Sequence, residues 1–292
     1  MSGFAGLRVL SLESRRAPEL AKLITTYGGE AIVAPSMREV PLESNTEALA
    51  FAAALFEGKF DMVIFLTGVG ARALLNVVET AHKRDEYIAS LQRVKVVARG
   101  PKPVAALREI GITPAITAPE PNTWHELLSA LDEAAKVLPD LSLQGARVAI
   151  QEYGVSNPEL LAGLRERGAQ VTRVPVYQWA LPHDLAPLRS AITAIAEGTV
   201  DVALFTTAVQ AIHLFQVAAE LKLEEQVKNG LARAIVASIG PTTSEELRRH
   251  GIQADLEPSH PKMGFLVKET SEQAEELLRR KRQGIASGGQ GQ

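Results

Sequence analysis

Hydroxyl, glycine and cationic residues collect just beyond the short apolar runs of this chain. Thr67 and Gly68 follow 62–66, Thr206 and Thr207 follow 202–205, and Gly240 with Thr242 and Thr243 follows 235–239. Arg15 follows 8–12, and Lys102 follows 95–98. Each of these positions opens an amphipathic stretch, so each sits where a strand hands over to a helix. A helix N-terminus offers unpaired backbone N–H groups and the positive end of the dipole, which favours anions. The residue types therefore point to a ligand with several carboxylates or phosphates, and Arg16, Arg72, Arg99 and Lys262 are further cations within reach of such loops. The segment Gly240-Pro241-Thr242-Thr243-Ser244-Glu245 also fits a capping box, with Thr242 as N-cap and Glu245 at N3. That structural role leaves the second hydroxyl for a ligand. Tyr177 lies in an extended stretch bounded by prolines, and its phenol either faces an opening or packs as a core aromatic.

Other chemistries lack their residues. There is no cysteine, which removes disulfides, thiolate nucleophiles and cysteine metal sites. The histidines at 82, 125, 183, 213, 250 and 260 have no spacing that gathers a metal. No G-x-S-x-G elbow and no Walker lysine motif occurs. Gly68-Val69-Gly70 opens a helix after a strand, but Ala73 stands where a dinucleotide fingerprint needs its last glycine.

The elements that must position these residues alternate. Apolar, β-branched runs at 8–12, 30–34, 62–66, 95–98, 115–118, 147–151, 170–174, 202–205 and 235–239 read as strands, with a weaker one at 254–256. Amphipathic stretches such as 18–27, 46–56, 71–80, 103–110, 124–137 and 158–167 fill the gaps. This alternation is the signature of βα units around a parallel sheet. In such a sheet, ligands bind beyond the carboxyl ends of the strands. The rule selects the loops 11–16, 67–70, 100–103, 119–123, 152–157, 206–208, 240–244 and 258–264.

The second half echoes the first at an offset of about 140 residues. Gly6-Leu7-Arg8-Val9 answers to Gly145-Ala146-Arg147-Val148, Phe60-Asp61 to Val200-Asp201, and Gly100-Pro101 to Gly240-Pro241. A period this long means two similar domains rather than a solenoid. Segments 35–42 and 174–182 are extended, proline-bounded and occupy equivalent places, so both read as β connectors. If they cross between lobes, one domain is 1–34 plus 183–275 and the other 43–173. The tandem division, 1–140 and 141–292, is the simpler alternative. The tail 284–292 is rich in Gly, Ser and Gln and is expected to be disordered.

At 292 residues, 46% apolar and 22% charged, the chain fits two soluble domains. A net charge of −3 argues against nucleic acid as a partner. No basic, apolar leader and no long apolar run occurs, so the expected residence is cytoplasmic, with no membrane partner. No apolar surface stripe asks for a second copy, and a monomer is expected.

The duplicated α/β pattern, the Gly240-Pro241-Thr242-Thr243 turn, the Val174-Pro175-Val176-Tyr177 connector and the Ile64-Phe65-Leu66-Thr67 strand end resemble the uroporphyrinogen-III synthase family. The resemblance runs over about residues 7–268. It implies two doubly wound, flavodoxin-like α/β domains joined by a two-stranded β linker, which favours the crossed division. It also implies a carbon–oxygen lyase of tetrapyrrole (haem, sirohaem, cobalamin) biosynthesis, working without metal or cofactor. Its substrate would be hydroxymethylbilane, an octacarboxylate, with transient handover from hydroxymethylbilane synthase as one route of supply. The reaction closes the ring with inversion of the last pyrrole and loss of water. The family's linker tyrosine maps to Tyr177, implying help with departure of the hydroxyl. Its paired threonines map to Thr242 and Thr243, implying contacts to substrate carboxylates, while Thr67 and Thr207 mark the matching strand ends of the two lobes. In the other lobe, Gly100-Pro101-Lys102-Pro103 departs from the family's usual hydroxyl residue and puts a charge there. That departure keeps open a non-catalytic regulatory paralogue that binds a tetrapyrrole or similar polyacid. A bilobal binding protein is a third reading.

Overall fold

The central apolar runs, such as 62–65, 202–205 and 235–238, form strands buried on both faces, as a parallel sheet requires when helices cover both sides. The runs at 30–33 and 170–175 stay partly exposed. The computed structural model describes residues 3–41, 45–152, 154 and 156–288. Its first half runs β1 (Arg8–Ser11), α1 (Ala17–Thr26), β2 (Glu30–Val33), β3 (Arg38–Pro41), α2 (Thr46–Phe56), β4 (Met62–Phe65), α3 (Gly68–Glu79), α4 (Arg84–Leu91), β5 (Lys95–Ala98), α5 (Pro101–Arg108), β6 (Ile116–Thr117) and α6 (Trp124–Val137). There follow β7 (Arg147–Glu152), α7 (Pro158–Glu166), β8 (Gln170–Pro175), β9 (Tyr177–Ala180), α8 (Ala186–Ala196), β10 (Val202–Phe205), α9 (Ala208–Glu220), α10 (Glu224–Arg233), β11 (Ile235–Ser238), α11 (Pro241–Arg249) and α12 (Met263–Gly288).

Contacts divide the chain into two compact units: unit 1, Met1–Arg38 with Ala180–Gln292, and unit 2, Glu39–Trp179. Unit 1 holds the parallel sheet β11-β10-β1-β2. The strand expected at 254–256 forms only as the parallel bridge Ala237–Leu256 beside β11. Unit 2 holds the parallel sheet β6-β5-β4-β7-β8. β3 and β9 pair as a separate two-stranded sheet, on which the chain passes from one unit to the other. The fold is therefore α/β, with two doubly wound domains and a two-stranded β linker. A tandem split does not describe these units, because each sheet takes strands from both halves of the chain. Counted in chain order, unit 1 has the flavodoxin-like order 2-1-3-4, while unit 2 reads 3-2-1-4-5. The spatial arrangement is the same and is simply entered at a different strand.

Strand alternation sends neighbouring side chains to opposite faces. Val63 and Phe65 of β4 pack with Phe51, Leu74 and Leu107, whereas Met62 and Ile64 pack with Leu127, Leu131 and Leu164. In unit 1, Ala203 and Phe205 of β10 pack with Leu188, Leu214 and Leu247, and Val202 and Leu204 with Leu20, Ile24 and Leu266. Burying each large side chain contributes roughly 1.5–3 kcal/mol. A one-residue slip would exchange the two faces, so burial fixes the register.

The amino edges of the two sheets are closed alike. Asp61 Oδ2 accepts the Arg147 N–H at 2.8 Å, and Asp201 Oδ2 accepts the Arg8 N–H at 2.8 Å. Asp61 also takes the Arg147 guanidinium, at 2.7 and 3.0 Å, which holds its carboxyl below its ordinary pKa.

Two local expectations change. The capping box at 242–245 does not form: α11 starts two residues earlier, at Pro241, with Gly240 as N-cap and no side-chain cap bond. Proline is pre-set for the first helical position, and this displaces Thr242 to the second. A capping box does form at α6, between Thr123 and Glu126. Helix α12 runs on through Gly288, into the tail whose composition predicted disorder. Residues 289–292, Leu42 of the first connector, Glu43 and Ser44 at the start of the second expected domain, and Tyr153 and Val155 of the 152–157 loop lie outside the described residues.

Candidate functional site

The crevice rule for open parallel sheets points to the topological switch points, where connections leave the sheet in opposite directions. These are β1/β10 in unit 1 and β4/β7 in unit 2.

In unit 1, β1 ends in a loop whose Glu13 is only 9% exposed. Its Oε1 accepts the N–H groups of Arg15 at 3.1 Å and Arg16 at 3.3 Å. Its Oε2 accepts the Thr206 hydroxyl at 2.6 Å, from the end of β10. Buried Gln210, in the first turn of α9, closes the network. Its Oε1 accepts the Thr206 N–H at 2.7 Å, and its Nε2 donates to Thr206 Oγ1 at 2.8 Å. Thr207 is the N-cap of α9 and makes no side-chain cap bond. At the next strand end, Ser238 Oγ donates to the Gly240 carbonyl at 3.0 Å and accepts the Gly240 N–H at 3.3 Å, shaping the turn into α11. Thr242 is exposed at that helix start, whereas Thr243 is 3% exposed.

In unit 2, Thr67 caps α3 by accepting the Gly70 N–H at 3.0 Å. The two glycines of this turn are there for room. A Cβ on Gly68 would sit 2.5 Å from the Lys102 carbonyl oxygen, and one on Gly70 would sit 2.1 Å from Gln151 Nε2. Gln151 is fully buried and donates to the Glu152 carbonyl at 2.5 Å. Glu152, 4% exposed, accepts from Ser156 Oγ at 2.7 Å and from Arg173 Nε at 2.8 Å. At the β5 end, Gly100 lies against Asn122. With its nitrogen turned inward, the Asn122 amide donates to the carbonyls of Arg99 at 3.3 Å and Ala118 at 3.1 Å, tying β5 to β6. Lys102 is exposed at the second position of α5.

Of the residues singled out from sequence, Arg15, Thr206, Thr207, Gly240, Thr242 and Thr243 lie at the carboxyl edge of unit 1. Thr67, Gly68 and Lys102 lie at that of unit 2. Arg72 is engaged with Glu109, and Arg16 lies 3.7 Å from Glu19. Tyr177, on β9, packs in the apolar core of unit 2. It is 4% exposed, and its ring stands edge-on to Trp179 at 5.8 Å. Its hydroxyl is therefore covered. Sequence reasoning missed Glu13, Gln210, Gln151 and Glu152. The repeat held a signal for two of them, since Glu13 and Glu152 fall at matching strand ends.

Two hollows lie elsewhere, and their cations are paired. A space of about 230 Å³ beside α3, α4 and α5 is lined by Arg72 and Arg84, bridged to Glu109 and Glu79. Another of about 610 Å³ beside α10 and α12 is lined by Lys228, Arg280 and Lys281, bridged to Glu224, Glu276 and Asp255. Among the described residues, no group of three or more His, Cys, Asp or Glu gathers to hold a metal, and no helix is long and apolar enough to cross a membrane.

A family model described as uroporphyrinogen-III synthase HemD matches residues 18–268. YjjA of Bacillus subtilis (strain 168), an uncharacterized protein, is 31% identical over 278 residues, 94% of this chain and 98% of that one. A protein of Methanothermobacter thermautotrophicus, provisionally named a uroporphyrinogen-III synthase, is 30% identical over 240 residues, 82% of this chain and 87% of its own. Among solved structures, a mutant uroporphyrinogen III synthase of Thermus thermophilus aligns with a TM-score of 0.71 at 24% identity. The wild-type enzyme in another crystal form aligns at 0.57 and 25% identity. Both alignments cover 93% of this chain and 99% of the other.

Proposed function

Because the chain belongs to the uroporphyrinogen-III synthase family, we propose that it cyclises hydroxymethylbilane to uroporphyrinogen III, with inversion of the last pyrrole ring and loss of one water. The observation that carries this reading is the pair of carboxyl edges. Each ends in hydroxyl residues at helix N-termini, Thr67 on α3 and Thr207 with Thr242 on α9 and α11, and each adds an exposed cation, Lys102 or Arg15. N–H groups, hydroxyls and cations are the complement of an octacarboxylate.

In this reading the terminal C–O bond breaks and the hydroxyl leaves as water once it has gained a proton. The pyrrole nitrogen stabilises the cation left behind. The substituted carbon of the last ring attacks it to give a spiro ring, and the bond from that carbon to its original methylene bridge then breaks. The ring turns over, and its other α-carbon captures the freed methylene and loses its proton as the macrocycle closes. Holding the reacting ends together can supply roughly 7–11 kcal/mol of such a barrier in favourable intramolecular cases. We assign Tyr177 to assisting the hydroxyl's departure. Since its phenol is covered in unit 2, this role requires the surrounding segment to open when substrate is bound. On the general-acid scale, Tyr177→Phe should lower kcat by about 100-fold and leave KM nearly unchanged. Full turnover by that variant would remove Tyr177 from the chemistry.

The experiment is a coupled assay in which hydroxymethylbilane synthase supplies the substrate and the uroporphyrinogen isomers are separated. Isomer III supports the reading; isomer I alone, the uncatalysed product, overturns it. A non-catalytic paralogue that binds the polyacid is the second reading. Two observations favour it: Lys102 where the family resemblance places a hydroxyl, and the covered phenol of Tyr177. We place the reaction in a soluble, cytoplasmic monomer that receives its substrate by transient handover.

A further inference from the structure

We propose that Glu13 is a positioning residue for polyanion binding at the carboxyl edge of unit 1; this rests on the reading of the site above. One buried carboxylate ties together the two strand ends flanking the switch point. On the β1 side its Oε1 holds the loop by the Arg15 and Arg16 N–H groups, at 3.1 and 3.3 Å. On the β10 side its Oε2 takes the Thr206 hydroxyl at 2.6 Å.

Both donors of Thr206 are thereby used internally: the O–H goes to Glu13 and the N–H to Gln210. Thr206 has no donor left for a ligand, although its sequence position suggested that role. The contact passes to Thr207, whose side chain does not cap its own helix. Across the switch point, the same carboxylate sets the backbone that carries the exposed side chain of Arg15. Glu13 thus orients a hydroxyl on one strand end and a cation on the other without touching the ligand itself.

Two facts separate this from ordinary packing. Unit 2 carries a glutamate at the matching strand end, Glu152, but Leu66 stands where Thr206 would be, and Glu152 bonds Ser156 and Arg173 instead. The bridge from carboxylate to hydroxyl across the switch point therefore belongs to unit 1 alone. In addition, a negative charge beside a polyanion site opposes binding by simple Coulomb repulsion. A satisfied buried network rigidifies and specifies local geometry, and that benefit must outweigh the repulsion.

The sign of the effect makes the test decisive. Glu13→Gln keeps the shape and removes the charge, and Thr206→Val removes the bridging hydroxyl. Each should raise KM for hydroxymethylbilane about tenfold with kcat within about twofold, the scale of one charge-assisted hydrogen bond. The double variant should be no worse than either single, and Thr206→Ser should keep the wild-type KM. The proposal is overturned by additive effects, by a lowered melting temperature with unchanged KM, or by tighter binding in Glu13→Gln, which would make the charge a mere repeller. If Glu13→Gln does not fold, Thr206→Val and Thr206→Ser carry the same expectations. If the wild-type protein yields no isomer III, the synthase reading fails by itself. The dissociation constant for uroporphyrin I, followed by quenching of its fluorescence, then decides this proposal. A tenfold loss in the variants supports it, and an unchanged constant or no wild-type binding overturns it.

Discussion

The two switch points are filled by the same side chain coming from opposite directions. In unit 1 a buried glutamine rises from the first turn of the helix, Gln210 on α9, and the facing strand end carries Leu12. In unit 2 the helix turn is stripped to Gly70, and the glutamine comes from the strand end, Gln151. The sheet registers make these positions equivalent: Val202 lies beside Val9 in one sheet, and Met62 beside Val148 in the other. Each crevice thus has one polar plug, and in unit 2 Gly70 leaves the room for it. The source of the plug decides what remains exposed. Gln210 occupies Thr206, and Thr207 is left uncapped; Gly70 instead offers its N–H to Thr67, which caps its own helix. Unit 1 leaves the Thr207 side chain without a cap bond, whereas in unit 2 the Thr67 oxygen is committed to its helix and only its O–H is left to donate.

Transplanting one plug onto the other side is the harshest way to break this comparison. Gly70→Gln sets a side chain where Gln151 already lies, and should destabilise unit 2 by about 3 kcal/mol. Adding Gln151→Leu, which copies the unit 1 arrangement, should recover at least half of that in urea titrations. Simple additivity of the two changes would show that the positions are not equivalent. A smaller effect comes from the threonines. Thr67→Ala removes a helix cap and should cost about 1 kcal/mol, against a few tenths for Thr207→Ala, while Thr207→Ala should raise KM more than Thr67→Ala does. Equal stability losses would sink the division of roles.

The smallest effect concerns pH and unit 1 alone. His213 on α9 is 6% exposed, and its Nδ1 lies 2.7 Å from the Ser36 carbonyl oxygen, so that nitrogen carries the proton and donates. α3 has Ala73 at the matching turn. Burial lowers the His213 pKa below 6.5, although the bond to Ser36 opposes the shift. The unfolded chain therefore binds the proton first as pH falls. Its contribution to stability is complete above pH 6.5 and is lost as pH falls toward the folded value. Melting of unit 1 between pH 7.5 and 5 should show this slope, and His213→Gln, which keeps a donor for Ser36, should flatten it.

Much of the fold was legible because a strand buried on both faces must be apolar throughout. The runs at 62–65 and 202–205 announce themselves for that reason, and the loops after them hold the candidate hydroxyls. Thr67 was legible as a hydroxyl at a strand end before a helix, and the structure adds that it caps that helix. The start of α11 was misread because a threonine three residues before a glutamate satisfies the capping pattern, while proline one position earlier had already begun the helix. Gln210 was not legible, and the repeat showed only that Glu13 matches Glu152, not that either is buried. Charged and amide side chains are common at loops and helix starts, and periodicity does not distinguish a solvated one from a buried one.

By itself the sequence determined the alternation of strand and helix, the two halves in register, and the clustering of hydroxyls and cations past the strands, because burial and helix capping act over a few neighbouring residues. Only the tertiary structure decided which halves of the chain share a sheet and which of two adjacent threonines keeps its hydroxyl. It also decided that a phenol placed between prolines ends inside a core. Those outcomes depend on hydrogen bonds and contacts between residues as far apart as Glu13 and Thr206, which no local pattern encodes.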